Sequence, residues 1–235
     1  MRGSRARSAD KILRGETLVF LNDQETRKVL DTLNGKIPED AVLKDMKAFF
    51  KEKFSIEILD YIADRAKNGR KRLTVFVWGI ESTWPFIGSS ERKKENKIKE
   101  AFSRSCKEHG LNEDYFDPGS FFAIVSDFKP DVEKLLMTRE NMKKISELLK
   151  KHPEVNSHRI SDSTVFVFYN SDKDIKTYGD SGLTKQIYNE VCDLLSSMVN
   201  LEGLGSRKIG DVRFSSMETF VMKYNSNFRF FWLDN

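Results

Sequence analysis

Cysteine is scarce in this chain of 235 residues: Cys106 and Cys192 are the only two. So few thiols argue against a disulfide scaffold and fit a reducing compartment, which makes the cytoplasm the expected location. Histidine is nearly as scarce. His109, His152 and His158 are scattered, and neither cysteine has a partner at metal-ligand spacing, so a His/Cys zinc site is not expected. Three isolated histidines also offer no Ser-His-Asp or Cys-His arrangement. No apolar run approaches the roughly 18–20 residues needed to span a bilayer, so no membrane partner is expected. The stretch Leu18 to Leu21 is too short for a signal peptide. No Pro/Gly/Ser-rich linker divides the chain.

What is present is an apparent echo. Thr74-Val75-Phe76-Val77-Trp78 is followed by a loop, Gly88-Ser89-Ser90 and a helix-like run. Thr164-Val165-Phe166-Val167-Phe168 is followed by a longer loop, Gly179-Asp180-Ser181 and another such run. The strands and glycines keep step at 90 or 91 residues, whereas the helices do not. The spacing suggests a duplicated β-α-β unit, although any two such units share a short apolar strand and a capped helix.

Element signals alternate along the chain. Glu16 to Leu21 reads as a strand, Asp23 caps a helix ended by Gly35, and Pro38 opens a second helix. Ser55 caps a third helix bearing Ile58, Leu59, Ile62 and Ala66 on one side. Arg72 to Gly79 is the clearest strand, rich in β-branched and aromatic residues. A helix from Glu91 to His109, a strand from Ser120 to Ser126 and two short helices follow. Then come a strand from Ser163 to Tyr169 and a helix from Leu183 to Val199. After Asp211 the composition reads as strands at Val212–Phe214, Thr219–Tyr224 and Phe228–Leu233, the last two joined as a hairpin. The predicted fold class is α/β, with a mixed, mostly parallel sheet flanked by helices and an antiparallel C-terminal hairpin. Residues 1–15 read as a flexible basic arm and 16–235 as one domain, with 55–129 and 138–235 as candidate halves.

Charge points weakly toward nucleic acid. The net charge is +4, but the first eleven residues carry +3 of it through Arg2, Arg5, Arg7 and Lys11 against Asp10. What remains is clustering: Arg70-Lys71-Arg72, Arg92-Lys93-Lys94 and Arg207-Lys208. Clustered cations can neutralise phosphates even on a nearly neutral protein. Arg207 and Lys208 sit in a glycine cluster that follows a helix and precedes a strand. That is the reverse of a dinucleotide fingerprint, so it reads as a helix stop and turn. The two loops after the echoed strands would lie beyond strand carboxyl ends, where open α/β sheets bind ligands. In the second loop, Gly179 and Ser181 stand ahead of a helix and are candidates to hold an anion, although helix capping explains them too. In the first, Trp84 and Phe86 are candidates for a partner surface.

The sharpest catalytic candidate set is Asp117, Asp127 and Lys129. Over about thirty residues it resembles metal-dependent nucleases of the restriction-enzyme type, with an acid before a strand and an acid-x-Lys triplet at its end. The resemblance implies carboxylates holding Mg²⁺ and a lysine polarising the nucleophile. Acid-x-Lys also occurs at Asp45/Lys47, Glu91/Lys93, Glu95/Lys97 and Asp174/Lys176, so this composition supplies it freely. At the C-terminus, alternation along a strand would put Phe228, Phe230 and Trp232 on one face, fit either for the core or for stacking bases. Three readings follow. The first is an intracellular nucleic-acid-binding protein that uses clustered Lys and Arg. The second is a Mg²⁺-dependent nuclease, and the third a non-catalytic protein-interaction module of inhibitor or immunity type.

Overall fold

Each T-V-F-V run is the middle strand of a small sheet in the computed structural model, which describes residues 21–66, 68–87, 91–161, 163–205 and 210–234. The basic arm, Arg207, Lys208 and all of the Glu16–Leu21 strand except Leu21 lie outside the described residues. The chain forms two compact α/β units. The first ends at Asp131 and takes in Glu202–Gly205, and the second comprises Val132–Leu201 and the chain after Gly205.

The first unit contains α1 (Asp23–Leu33), α2 (Ala41–Phe54), β1 (Ile58–Arg65), β2 (Lys71–Val77) and a 3-10 segment (Ile80–Phe86). It continues with α3 (Glu91–His109) and β3 (Phe121–Asp127), and α4 (Lys129–Leu136) leads out of it. Caps set the helix starts. Asn22 and Glu25 form a capping box on α1, and Asp40 accepts the Leu43 N–H at 2.7 Å to start α2. β2 pairs antiparallel with β1 and parallel with β3, placing Thr74 opposite both Ile62 and Ile124. Leu73, Val75 and Val77 on one face of β2 pack into a core with Val42, Met46 and Phe50 of α2 and Ile98, Phe102 and Cys106 of α3. Phe102 makes edge-on ring contacts with Tyr61, Tyr115 and Phe121 at 5.1–5.9 Å. On the other face Phe76 meets Phe128, and both are buried.

The second unit contains α5 (Arg139–Leu149), β4 (Ser157–Ser161), β5 (Thr164–Tyr169), α6 (Asp172–Asp180) and α7 (Leu183–Met198). It ends with β6 (Asp211–Ser216), α8 (Met217–Tyr224) and α9 (Phe228–Asp234). β5 pairs antiparallel with β4 and parallel with β6, and all six of its residues are buried. Phe166 and Phe168 on one face pack with Phe220 and Tyr224 of α8 and with Phe228, Phe231 and Trp232 of α9.

Several expectations give way. One mostly parallel sheet is replaced by two small mixed sheets, because each middle strand gains an antiparallel neighbour that carried no clear signal. The third helix expected from Ser55 is instead β1. Ser55 is the left-handed C-cap of α2, and a bulge between Ile58 and Asp60 buries two successive apolar residues, so the strand imitates a helical spacing. β4 reads S-H-R-I-S, with one apolar residue, and forms by pairing with a buried neighbour. The expected C-terminal hairpin is the helix pair α8–α9, joined through Asn225 and Ser226, both at positive φ. Phe228, Phe231 and Trp232 fit i, i+3, i+4 spacing. Phe231 is 1% exposed and Phe230 59%, the reverse of an alternating strand. The loop expected over Asn170 to Gly179 is α6, capped by Ser171 and Asp174. No described helix is long and apolar enough to cross a membrane.

Phe102 has no exposed surface and touches three other rings, so Phe102→Ala is expected to lower unfolding free energy by about 3–5 kcal/mol in urea titrations. A loss below about 1 kcal/mol would show that this aromatic cluster does not hold the first unit together.

Candidate functional site

The candidate catalytic residues do not converge. Asp117 is exposed and caps the short 3-10 turn Pro118–Ser120 by accepting the Gly119 N–H at 2.8 Å. Asp127 lies at the other end of β3, about 20 Å away at some 3.3 Å per strand residue. Its carboxylate is 6% exposed, and one oxygen accepts the Gly79 N–H at 2.8 Å and the Lys129 N–H at 3.0 Å. Asp127 therefore ties the exit of β2 to the start of α4, and Lys129 opens that helix rather than extending the strand.

The basic clusters divide into paired and unpaired members. Arg72 binds Asp64 through two nitrogens, at 2.8 and 2.5 Å, and this anion raises its pKa. Lys71 pairs with Asp114 at 3.0 Å, and Arg70 stacks over Phe122 at 5.0 Å. Lys94 donates to the Pro85 carbonyl and lies over the Phe86 ring. Arg92 and Lys93, exposed on the first turn of α3, enter no ion pair among the described residues. Gly179 and Ser181 sit at the C-terminal end of α6. There the Ser181 N–H already donates to the Thr177 carbonyl and the Gly182 N–H to that of Gly179, which leaves neither amide for an anion. In the glycine cluster, Gly203 is required by proximity: a Cβ would stand 2.3 Å from the Leu33 backbone.

The two residues of the expected partner surface differ in exposure. Phe86 is 8% exposed and packs against Phe50 and Phe54 at 5.7 and 5.0 Å. Trp84 is 60% exposed. The turn that carries it is braced on several sides. Ser82 Oγ donates to the Trp78 carbonyl at 2.8 Å, Thr83 Oγ1 to that of Ile80 at 2.6 Å, and the Ile87 N–H to that of Trp84 at 3.2 Å. Pro85 restricts the backbone beside Trp84. Phe86 then acts as the anchor, Trp84 as the displayed ring, and Lys94 links the turn to α3.

Sequence reasoning missed two polar sites. In a cleft of about 330 Å³ between α1, the start of α2 and β1, Asp60 projects from the bulged strand near Thr32, Lys28 and Asp40. Burial pushes its carboxyl up to about 6, against the Tyr61 N–H at 2.7 Å, which favours the anion. The Tyr61 hydroxyl donates to Asp40 at 2.9 Å, and burial raises its pKa as well. Between α2 and α3, Asp45 accepts from Ser105 at 2.6 Å and meets His109 at 2.9 Å. These bonds, the serine's foremost, hold its pKa low. Here the carboxylate lies between the serine and the histidine, so the histidine is not placed to activate the serine. The Ser105–His109 spacing of four was visible in the sequence, but Asp45 joins only through helix packing.

The geometry defines an α/β protein with an exposed tryptophan on a braced turn that Lys94 joins to α3, and no assembled catalytic centre among the described residues. No family model matches the chain, no curated protein matches its sequence, and no solved structure matches it.

The buried carboxyl gives a pH test. Asp60 holds its proton more tightly in the folded state, so folding loses stability as pH rises from about 4 to about 6. Asp60→Asn removes this loss and is expected to exceed the parent in stability by about 3 kcal/mol at pH 7, with little difference near pH 3. Urea titrations at both pH values check it. A gain at pH 7 below about 0.5 kcal/mol would refute the role of burial at Asp60.

Proposed function

We propose that this protein binds nucleic acid through the surface made by Trp84 and the first turn of α3. One observation carries the reading: the braced turn that displays the exposed indole is bonded through Lys94 to α3, whose Arg92 and Lys93 enter no ion pair among the described residues. Arg92 and Lys93 stand at the positive end of the α3 dipole, where cations are unfavourable by about 0.3–1 kcal/mol each. A local choice that opposes stability is what an anion-binding surface would require. Arg70, Lys71 and Arg72, by contrast, serve the β1–β2 hairpin and its neighbours.

The nuclease reading has less behind it, since a shared Mg²⁺ would have to join carboxylates from opposite ends of β3. A protein-interaction role draws on the same exposed Trp84 and would appear as a stoichiometric complex with little salt dependence, lost in Trp84→Ala. We also read the two units as descendants of one duplicated segment. The support is their shared order of hairpin, helical segment and parallel strand, with T-V-F-V in the middle each time.

Fluorescence anisotropy with a labelled oligonucleotide is expected to show affinity falling steeply between about 50 and 200 mM salt. The double variant Arg92→Ala/Lys93→Ala should bind more weakly and reduce the slope of log affinity against log salt by about 1.4–1.8. Arg72→Ala should lower thermal stability and leave that slope unchanged. Absence of binding at about 50 mM salt would remove the proposal.

A further inference from the structure

We infer that the open edge of β3 takes up an extended, basic segment of another protein, pairing with its main chain and receiving its side chains in an acidic-rimmed apolar pocket. This inference does not depend on the nucleic-acid reading above. Among the described strands β3 is bonded to β2 alone. Two hydrogen bonds fix which way its backbone groups point. The Phe128 N–H donates to the Val77 carbonyl of β2 at 2.9 Å, so by alternation the even-numbered residues face β2. The Ala123 N–H instead donates to Glu95 Oε1 of α3 at 3.3 Å, so Phe121, Ala123 and Val125 turn their backbone groups away from the sheet. Edge strands are ordinarily blunted by lysine, proline or a bulge. The half-buried run Phe122-Ala123-Ile124-Val125 contains no lysine or proline, and its register with β2 is unbroken. The Glu95 bond is longer than the usual 2.9–3.0 Å of an N–H···O bond, so a strand carbonyl can displace it.

The pocket lies at this edge. Ala123, Ile124 and Val125 all line it, and successive strand residues point to opposite faces, so only the rim of the strand can present all three. Its volume is about 60 Å³, and at roughly 10–15 Å³ for each atom-sized group it has room for the few carbons of a valine or leucine side chain. Phe86 and Ile98 supply apolar wall, Glu91 and Glu95 are the charged residues of the lining, and no cation lines it. The two carboxylates stand one turn apart on α3 and so share a face. Glu95 otherwise meets Lys99 only at 3.8 Å. Once a strand carbonyl takes the Ala123 N–H, Glu95 is free to receive a lysine or arginine two positions from the apolar side chain. Strand addition of this kind draws affinity from main-chain bonds and specificity from alternate side chains. The charge also selects the occupant. A second copy paired edge to edge about a two-fold axis would set its own Glu91 and Glu95 against these carboxylates, whereas a basic strand neutralises them.

The test uses the full chain and a labelled, end-blocked peptide matching the seven residues of β3 in length. Threonine fills its odd positions, and valine, lysine and valine its even ones, so that lysine and valine share a face. Saturable binding is expected by fluorescence anisotropy. Two versions carry N-methyl groups on alternate amides, one on the odd set and one on the even. The set facing β3 should lose about tenfold in affinity and the other set little, since only one edge of the peptide pairs. Glu91→Lys should weaken the lysine peptide by about threefold and strengthen a glutamate version by a similar factor. Glu91 is exposed, so this variant is expected to melt close to the parent. No saturable binding of the lysine peptide up to about 1 mM would overturn the inference. So would equal losses from the two methylated sets, or the same preference for lysine over glutamate in Glu91→Lys as in the parent. The nucleic-acid reading stands or falls separately, on its oligonucleotide titrations.

Discussion

The structure depends on burying each middle strand on both faces. Thr74 to Val77 are at most 1% exposed, and every residue from Thr164 to Tyr169 is buried. A strand buried on both sides needs cover above and below, which is why each sheet of three strands is accompanied by so many helices. Fully buried Val or Phe side chains contribute roughly 1.5–3 kcal/mol each, so the two strands dominate their units. The same burial has a local penalty. The Thr74 hydroxyl and that of Ser126 are enclosed without a hydrogen-bond partner among the described residues, at a cost of about 1–3 kcal/mol each.

The displayed tryptophan follows from how β2 ends. The strand leaves the core at Gly79, whose φ of 81° lies in the left-handed region and lets the chain turn at once into the 3-10 segment. Asp127 holds the Gly79 N–H, and the Phe128 N–H bonds the Val77 carbonyl at 2.9 Å, so the parallel pair is locked at its carboxyl end. Phe86 then plugs the core beside Phe50 and Phe54, which leaves Trp84 and Pro85 just before it at the surface. In the second unit a different device serves the same end. Asp172 accepts hydrogen bonds from Ser216 and Thr219 and thereby joins the exits of β5 and β6. Carboxylates at strand ends thus act here as braces. Asp127 looked in sequence like a metal ligand because an acid in an acid-x-Lys triplet and an acid bonded to the Lys N–H share one spelling.

Legibility followed the strength of periodic signals. Long amphipathic runs such as Glu91–His109 were readable because their apolar residues recur at 3.6-residue spacing. β1 was not, since a single bulge turned its alternation into the i, i+1, i+4 pattern of a helix. The C-terminal aromatics misled in the opposite direction: F-R-F-F-W satisfies both periods, and only packing against Phe166 and Phe168 chose the helix. Of the basic residues, sequence located every cluster but could not distinguish Arg72, gripped by Asp64, from Arg92, which is not. That distinction needs partners distant in the chain.

The sequence by itself determined the two T-V-F-V strands, the α/β class and most helix positions, because periodicity, caps and glycines are local properties. Tertiary structure alone decided that these strands sit in two mixed sheets rather than one, and that Phe86 is an anchor while Trp84 faces solvent. It also decided that Asp117 and Asp127 stay a strand's length apart. Each of these depends on which surfaces meet across tens of residues. A run of apolar and charged side chains records that a surface must be buried or a charge compensated, but not by which partner.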